Sequence, residues 1–317
     1  MTSAHAPRPT DLVALVSFDG ELVANGAVTR DRLGRPSQPP HALAATIQRW
    51  LGRGRRIWID VRGRQIQGIA TARELAGRDA WEIDTLADAA RGGHEVTTAL
   101  LGQAGEAAAE AGVGHVLLRM RADAPEIPAA RRAGFVVALQ ERLWTGPPAA
   151  LDRAPITWDT AACTVREAGE ADALALFQLH NRALPVGMRQ AVAMTFEEWE
   201  AVQDRRWAGR NALDYVALED GRVRGWLRVG GDQFALLLEP DAEEAARVLL
   251  HAATPHLLHC DRVLALLPDC ASTPAGLLRS SGLEADEEYV LLALRTGSVV
   301  RDVVPARAAR RVVPTRG

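Results

Sequence analysis

Lysine is absent: all 37 basic residues are arginine. No Schiff base, lysine nucleophile or phosphate-loop lysine is therefore available. Three cysteines, Cys163, Cys260 and Cys270, are too few for a disulfide framework and too scattered for a Cys-x-x-Cys site; reduced thiols are expected. No apolar run approaches the ~18 residues of a membrane helix. The start, MTSAHAPRPTDLV, has no basic segment ahead of an apolar one, so no signal peptide is read and a cytoplasmic protein is expected. Gly-x-Ser-x-Gly, a phosphate loop, a zinc quartet and the dinucleotide-binding glycine run are also missing.

Hydrophobic residues make up 48% and charged residues 24% of the 317, the balance of a globular protein of about two domains. The net charge is −3. Residues 298–317 carry five arginines against Asp302, net +4, which leaves −7 for residues 1–297. An acidic body argues against a nucleic-acid surface. The basic tail reads as a solvated terminus.

The strongest pattern is internal. IWIDVRGRQIQGIATA (57–72) and YVALEDGRVRGWLRV (215–229) align at an offset of 157, pairing Trp58 with Tyr215, Val61 with Leu218, Ile66 with Val223 and Gly68 with Gly225. Both read as hairpins turning at Gly63 and Gly221. HVLLRM (115–120) then matches RVLALL (262–267), and RRAGF (131–135) matches RSSGL (279–283), at offsets of 147 and 148. The same order with a small length difference indicates a doubled domain, not a short-period solenoid.

In the first copy, helices are predicted over 11–24 and 41–52, around a loop at 30–41. Strands follow at 57–62, 65–74 and 80–86. A helix at 93–111, a strand at 115–121, a helix near 125–133 and a strand near 135–144 complete it. No opening strand is read. The second copy reads as a strand at 163–166 and helices near 170–183 and 196–206, the latter capped by Thr195 and Glu198. Strands at 214–219, 222–229 and 233–238 lead to a helix at 241–258 with Asp241 as its cap. A strand at 262–267, a helix at 273–281 and a strand at 287–295 finish the copy. The domains are expected at 1–147 and 163–297, with a linker at 148–162 and the tail at 298–317.

This order resembles the GCN5-related N-acetyltransferase (GNAT) superfamily. The likeness is carried by Thr164-Val165-Arg166-Glu167-Ala168 with Asp172 and Ala173, the two Gly-centred hairpins, Trp81-Glu82-Ile83-Asp84-Thr85-Leu86 as the strand entering the cofactor site, and Gly134-Phe135 and Gly282-Leu283 before the last strands. It implies an α+β fold of two tandem GNAT-like domains, each a mixed, mostly antiparallel sheet flanked by helices. It also implies acetyl-CoA as acyl donor, no metal, and a primary amine of a small molecule or protein as acceptor.

Such chemistry needs a helix N-terminus for the donor's pyrophosphate, a base for the amine and an N–H donor for the thioester oxygen. Arg91-Gly92-Gly93-His94 stands where the family's phosphate loop belongs, although His94 and Val96 replace its small residues and Glu95 opposes an anion. Leu86, Arg91, Gly92, Gly93 and His94 are the candidate cofactor contacts. A plain glycine loop before a helix is the competing reading. Glu82 and Asp84 alternate on one strand and are the candidate bases; a charged strand face paired with arginines such as Arg73 is the alternative. Ala130 and Leu278 stand where the family often has a tyrosine acid, so the leaving thiolate would take its proton from water.

The second copy has Glu239-Pro240-Asp241-Ala242-Glu243-Glu244 at the loop position, four acids and no glycine, and is expected to be cofactor-free. Arg189 is a candidate for a substrate anion. His180 and Asn181 end a helix and either face the cleft or cap it. His251, His256, His259 and Cys260 lack metal-site spacing. Phe196, Trp199 and Trp207 form an apolar stripe read as core. The first expectation is an N-acetyltransferase with any active site in the N-terminal copy. The other is a non-catalytic GNAT-fold protein for ligand sensing or assembly.

Overall fold

The structure is a computed structural model that describes residues 4–16, 25–35, 55–63, 65–75, 79–89, 94–153, 163–184, 195–203, 207–209 and 211–296. The first repeat runs β1 (Ala4–His5), α1 (Leu12–Val16), β2 (Arg55–Arg62), β3 (Gln65–Glu74), β4 (Ala80–Asp88), α2 (His94–Glu110), β5 (His115–Arg121), α3 (Ile127–Arg132) and β6 (Val136–Gly146). The second runs β7 (Cys163–Glu167), α4 (Ala173–Ala183), α5 (Phe196–Ala201), β8 (Leu213–Glu219), β9 (Arg222–Gly230), β10 (Gln233–Leu238), α6 (Glu243–Leu257), β11 (Val263–Pro268), α7 (Ser272–Ser281) and β12 (Glu284–Arg295).

Three differences from the sequence reading have local causes. The first repeat does open with a strand, β1, but its two residues are too short to show alternation; they pair antiparallel with Asp60 and Ile59. Helix α6 is capped at Ala242, not Asp241, and gains no side-chain cap. The N-terminal turn predicted at 170 is a 3-10 turn, Glu170–Asp172, before α4 begins. The helix predicted at 41–52 lies outside the described residues.

The repeated glycines do the same work twice. Gly134 (φ +92°) and Gly282 (φ +97°) end α3 and α7 in the left-handed region, where a side chain is strained. The next residue, Phe135 or Leu283, then turns into a core. Gly68 and Gly225 lie under the helices instead. A Cβ on Gly68 would come within 2.5 Å of Val96 Cγ1, and one on Gly225 within 2.8 Å of Leu249 Cδ1. Absence of a side chain lets α2 and α6 sit close on their sheets.

Among the described residues twelve strands form one sheet, in the order β1-β2-β3-β4-β5-β12-β6-β11-β10-β9-β8-β7. The closing strands are exchanged. β12 pairs antiparallel with β5 over Tyr289–Arg295, and β6 pairs antiparallel with β11 over Glu141–Gly146. β12 and β6 also pair with each other at the centre. Packing follows the exchange. Val290 and Leu292 of the second repeat join the first repeat's core with Trp81, Ile83, Leu100 and Phe135. Trp144 of the first repeat joins the second's, with Leu249, Leu267 and Leu278. Helices α2 and α3 pack on the first core and α6 and α7 on the second. On the opposite face Leu33 packs with Leu143, Leu264 and Leu266, and α4 packs through Leu176 and Leu179 near Val216, Val223 and Leu237; Ala27 joins the first core.

Candidate functional site

In each repeat two parallel strands begin together and part. β4 and β5 pair only at Ala80↔His115, Trp81↔Val116 and Glu82↔Leu117; beyond Glu82 the pairing stops. β10 and β11 pair only at Gln233↔Leu264 and Phe234↔Ala265. The parting strands leave two gaps whose backbone groups need partners.

The two gaps are filled differently. In the first, Asn25–Val28 bridges both walls. Gly26 N–H donates to Leu86 O (2.8 Å), and Val28 N–H to Arg119 O (2.8 Å). Leu86 N–H donates to Asn25 Oδ1 (2.7 Å), Asn25 Nδ2 to Asp84 O (3.1 Å), and Arg32 Nη1 to the same carbonyl (3.1 Å). In the second, Ala235, Leu236 and Leu237 on one side and Leu266 and Pro268 on the other line a cavity of about 820 Å³.

That cavity spans both repeats. Glu82, Arg119, Glu141 and Arg30 come from the first, and His180, Trp199, Trp207 and Asp214 from the second. Its ionic wall is a chain of paired groups. Arg73 Nε donates to Glu82 Oε2 (2.8 Å) and also meets Asp31 (3.3 Å). Arg119 approaches Glu82 (3.7 Å) and grips Glu141 with Nε (2.6 Å) and Nη2 (3.3 Å). Arg30 reaches Glu141 at 4.0 Å and lies over the Trp207 ring, 5.6 Å from its centre. Burial pushes the Asp31 carboxyl up, but Arg73 and a Thr29 hydrogen bond outweigh it and hold it below its ordinary value. Across the cavity, Trp226 Nε1 and Arg228 both donate to Asp214.

The predicted residues fall as follows. Glu82 and Asp84 are both buried, 3% and 1% exposed. Glu82 faces the cavity. Asp84 accepts from Arg55 and from Thr71 Oγ1. Arg55 stands opposite Arg73 on the neighbouring strand, and Thr71 lies two residues from it, so the two carboxylates point to one side of the sheet. Both have the arginine partners of the alternative reading. Leu86 has both backbone groups bonded to Asn25 and Gly26. His94 opens α2, half-buried, and its carbonyl accepts from Thr98. Arg91, Gly92, Gly93 and Arg189 lie outside the described residues.

At the second repeat's loop, Glu239 is buried under Arg182, Arg222 and Arg224. Burial raises its pKa, but the hydrogen bonds from Arg222 and Arg182 win and leave it below the usual glutamate range. Glu243 and Glu244 then occupy the first turn of α6. Arg247 pairs with both of these acids.

Sequence reasoning underused two residues. His180 lines the cavity beside Trp199, with ring centres 6.1 Å apart; burial pushes its pKa down and keeps the imidazole neutral. Trp199 is buried in the cavity wall instead of being only core. Their i, i+3 relation to Phe177 and Phe196 shows an apolar patch but not an internal space. His256 accepts from or donates to Tyr215 OH (2.9 Å). Among the described residues no group of three or more His, Cys, Asp or Glu could hold a metal, and no helix is long and apolar enough to cross a membrane.

No family model matches the sequence, and neither does any curated protein. Solved structures do. A GCN5-related N-acetyltransferase from Sphaerobacter thermophilus aligns with a TM-score of 0.50 at 18% identity, over 93% of this chain and 96% of that one. A tandem GNAT protein from the clavulanic acid biosynthesis pathway aligns at 0.47 and 14%, over 94% and 98%. A putative acetyltransferase from Pyrococcus horikoshii aligns at 0.48 and 12%, over 94% and 90%. With the Sphaerobacter alignment and two like repeats, the chain has an α+β GNAT fold built twice.

Proposed function

We propose that the protein transfers an acetyl group from acetyl-CoA to a primary amine, with the donor at the first repeat and the amine in the shared cavity. The observation that carries this reading is the parting of β4 and β5 after Glu82, beside a cavity that Glu82 itself lines. At the open end of that gap, α2 begins with one acid, Glu95, where α6 has two and follows Glu239 and Asp241. N–H groups of the first turn of α2, with Arg91, Gly92 and Gly93 ahead of it, would hold the pyrophosphate. Leu86 would meet the donor's acyl arm.

In the reaction the amine nitrogen bonds to the acyl carbon and the carbon–sulfur bond breaks. The amine's proton passes to Glu82, directly or through water, and the thiolate takes a proton from water. Arg73 and Arg119 fix the Glu82 carboxylate. Asp84, held by Arg55 and Thr71, stands beside it as the second candidate base. His180, neutral, is an acceptor on the opposite wall.

A calorimetric titration with acetyl-CoA tests this. Saturable binding that weakens in Arg91→Ala and persists in Asp241→Ala supports it. Absence of heat at millimolar donor refutes it. The second reading, a non-catalytic GNAT-fold protein binding a small molecule in the cavity, is favoured by Asn25–Val28 across the first gap. It predicts no acetyl-CoA binding by any variant.

A further inference from the structure

We infer that Asn25–Gly34 is a displaceable plug: one end closes the first repeat's donor gap, the other is latched to the second repeat, and donor binding requires the latch to yield. The inference rests on the donor reading above. It adds a gate that the reading alone does not contain.

The gap end is built for exchange. β4 and β5 past Glu82 present backbone groups that an empty apolar gap could not satisfy. Gly26 and Val28 satisfy two of them through backbone N–H groups, the Asn25 side chain bonds Leu86 N–H and Asp84 O, and Arg32 Nη1 shares Asp84 O. The segment belongs to no strand, so no ladder holds it. The acyl arm of a CoA thioester is a linear chain with two amides. Its two N–H groups can take the places of those of Gly26 and Val28, and an amide oxygen can accept from Leu86 N–H in place of Asn25 Oδ1. A Cβ on Gly26 would make only ordinary contacts, 3.4 Å from the Glu126 carboxyl carbon and 3.5 Å from Met120 Cε.

The other end is held by the second repeat. Leu33 is buried with Leu264, Leu266 and Tyr289 of that repeat and Leu143 of the exchanged strand β6. Arg262 Nη2 donates to Gly34 O (2.5 Å). Between the two ends, Arg30 reaches Trp207 and Glu141 on the cavity wall. A molecule that moves Arg30 or Trp207 therefore changes the hold on the plug, and donor and cavity ligand influence each other's binding equally.

The test uses the full chain as wild type, Asn25→Ala and Arg262→Ala, titrated with acetyl-CoA and followed by amide hydrogen exchange. Arg262 is exposed and outside the gap, so its loss leaves the donor's contacts intact. Each variant raises the population with an open gap, and acetyl-CoA binds about 5- to 10-fold more tightly to both. In the wild type, added acetyl-CoA speeds exchange at the Gly26 and Val28 amides while Leu86 stays protected by its new partner. Equal affinity in all three proteins, with Gly26 and Val28 still protected in the complex, overturns the plug and leaves the donor reading standing. No binding by any of the three overturns the donor reading and the plug with it.

Discussion

Leu292 belongs to the second repeat by sequence, yet its side chain is fully buried in the first repeat's core, with Leu118 opposite it on β5. Leu292→Ala removes a buried isopropyl group from the first repeat's core. The lost transfer free energy and the residual cavity together cost about 3 kcal/mol, within a range of roughly 2–5 for such sites. That is more than a hundredfold in the folding equilibrium. Urea unfolding followed by fluorescence and circular dichroism measures it. A sheet continuous through β5-β12-β6-β11 predicts one coincident transition in both proteins. Hydrogen exchange supplies the location: amides of β5 and α2, in the first repeat, should speed up most. A loss below about 1 kcal/mol, or faster exchange confined to α6 and β11, would refute the exchanged-strand argument.

Other consequences are equally open to measurement. Arg119→Ala leaves Glu141 and Glu82 buried without their shared guanidinium, and should lower stability by about 3–5 kcal/mol in chemical denaturation. Thr195→Ala removes Oγ1, the acceptor of Glu198 N–H at the start of α5, and leaves the bond from the residue-195 N–H to Glu198 in place; a loss of about 1 kcal/mol is expected. His115 and His180 both have pKa values lowered by burial. The unfolded chain therefore binds their protons first as pH falls below about 6.5, so stability should drop between pH 7 and 5, and His180→Gln should flatten part of that slope in urea titrations. With acetyl-CoA at a hundred times its dissociation constant, the folded state should gain about 2.7 kcal/mol, read as a thermal shift.

The doubling of the fold was legible because its glycines are conformational requirements. Gly134 and Gly282 end helices at positive φ, and Gly68 and Gly225 admit a helix onto a sheet; both needs leave the same letter at the same place. Strand and helix spans followed from alternation and composition. The exchange of β6 and β12 was not legible, since a two-residue period says which residues face a core but not which core. Val290 and Leu292 would fit either half. The bridging role of Asn25 and Gly26 was also hidden. They lie between a predicted helix and a proline-rich loop, and their function appears only when Leu86 and Arg119, sixty and more residues away, part beside them. At the site, the carboxylates Glu82 and Asp84 were found by alternation, while their arginines Arg55 and Arg119 come from other strands. The acidic start of α6 could be read directly; the cavity needed His180 and Trp199 from two helices to meet.

One crystal structure of the full chain grown with acetyl-CoA bears most directly on the central claim. The donor's acyl arm should lie between β4 and β5, bonded to Leu86, with its diphosphate at the start of α2 and Asn25–Val28 withdrawn. Donor found between β10 and β11 instead, or bound anywhere with Gly26 still bonded to Leu86, would contradict it.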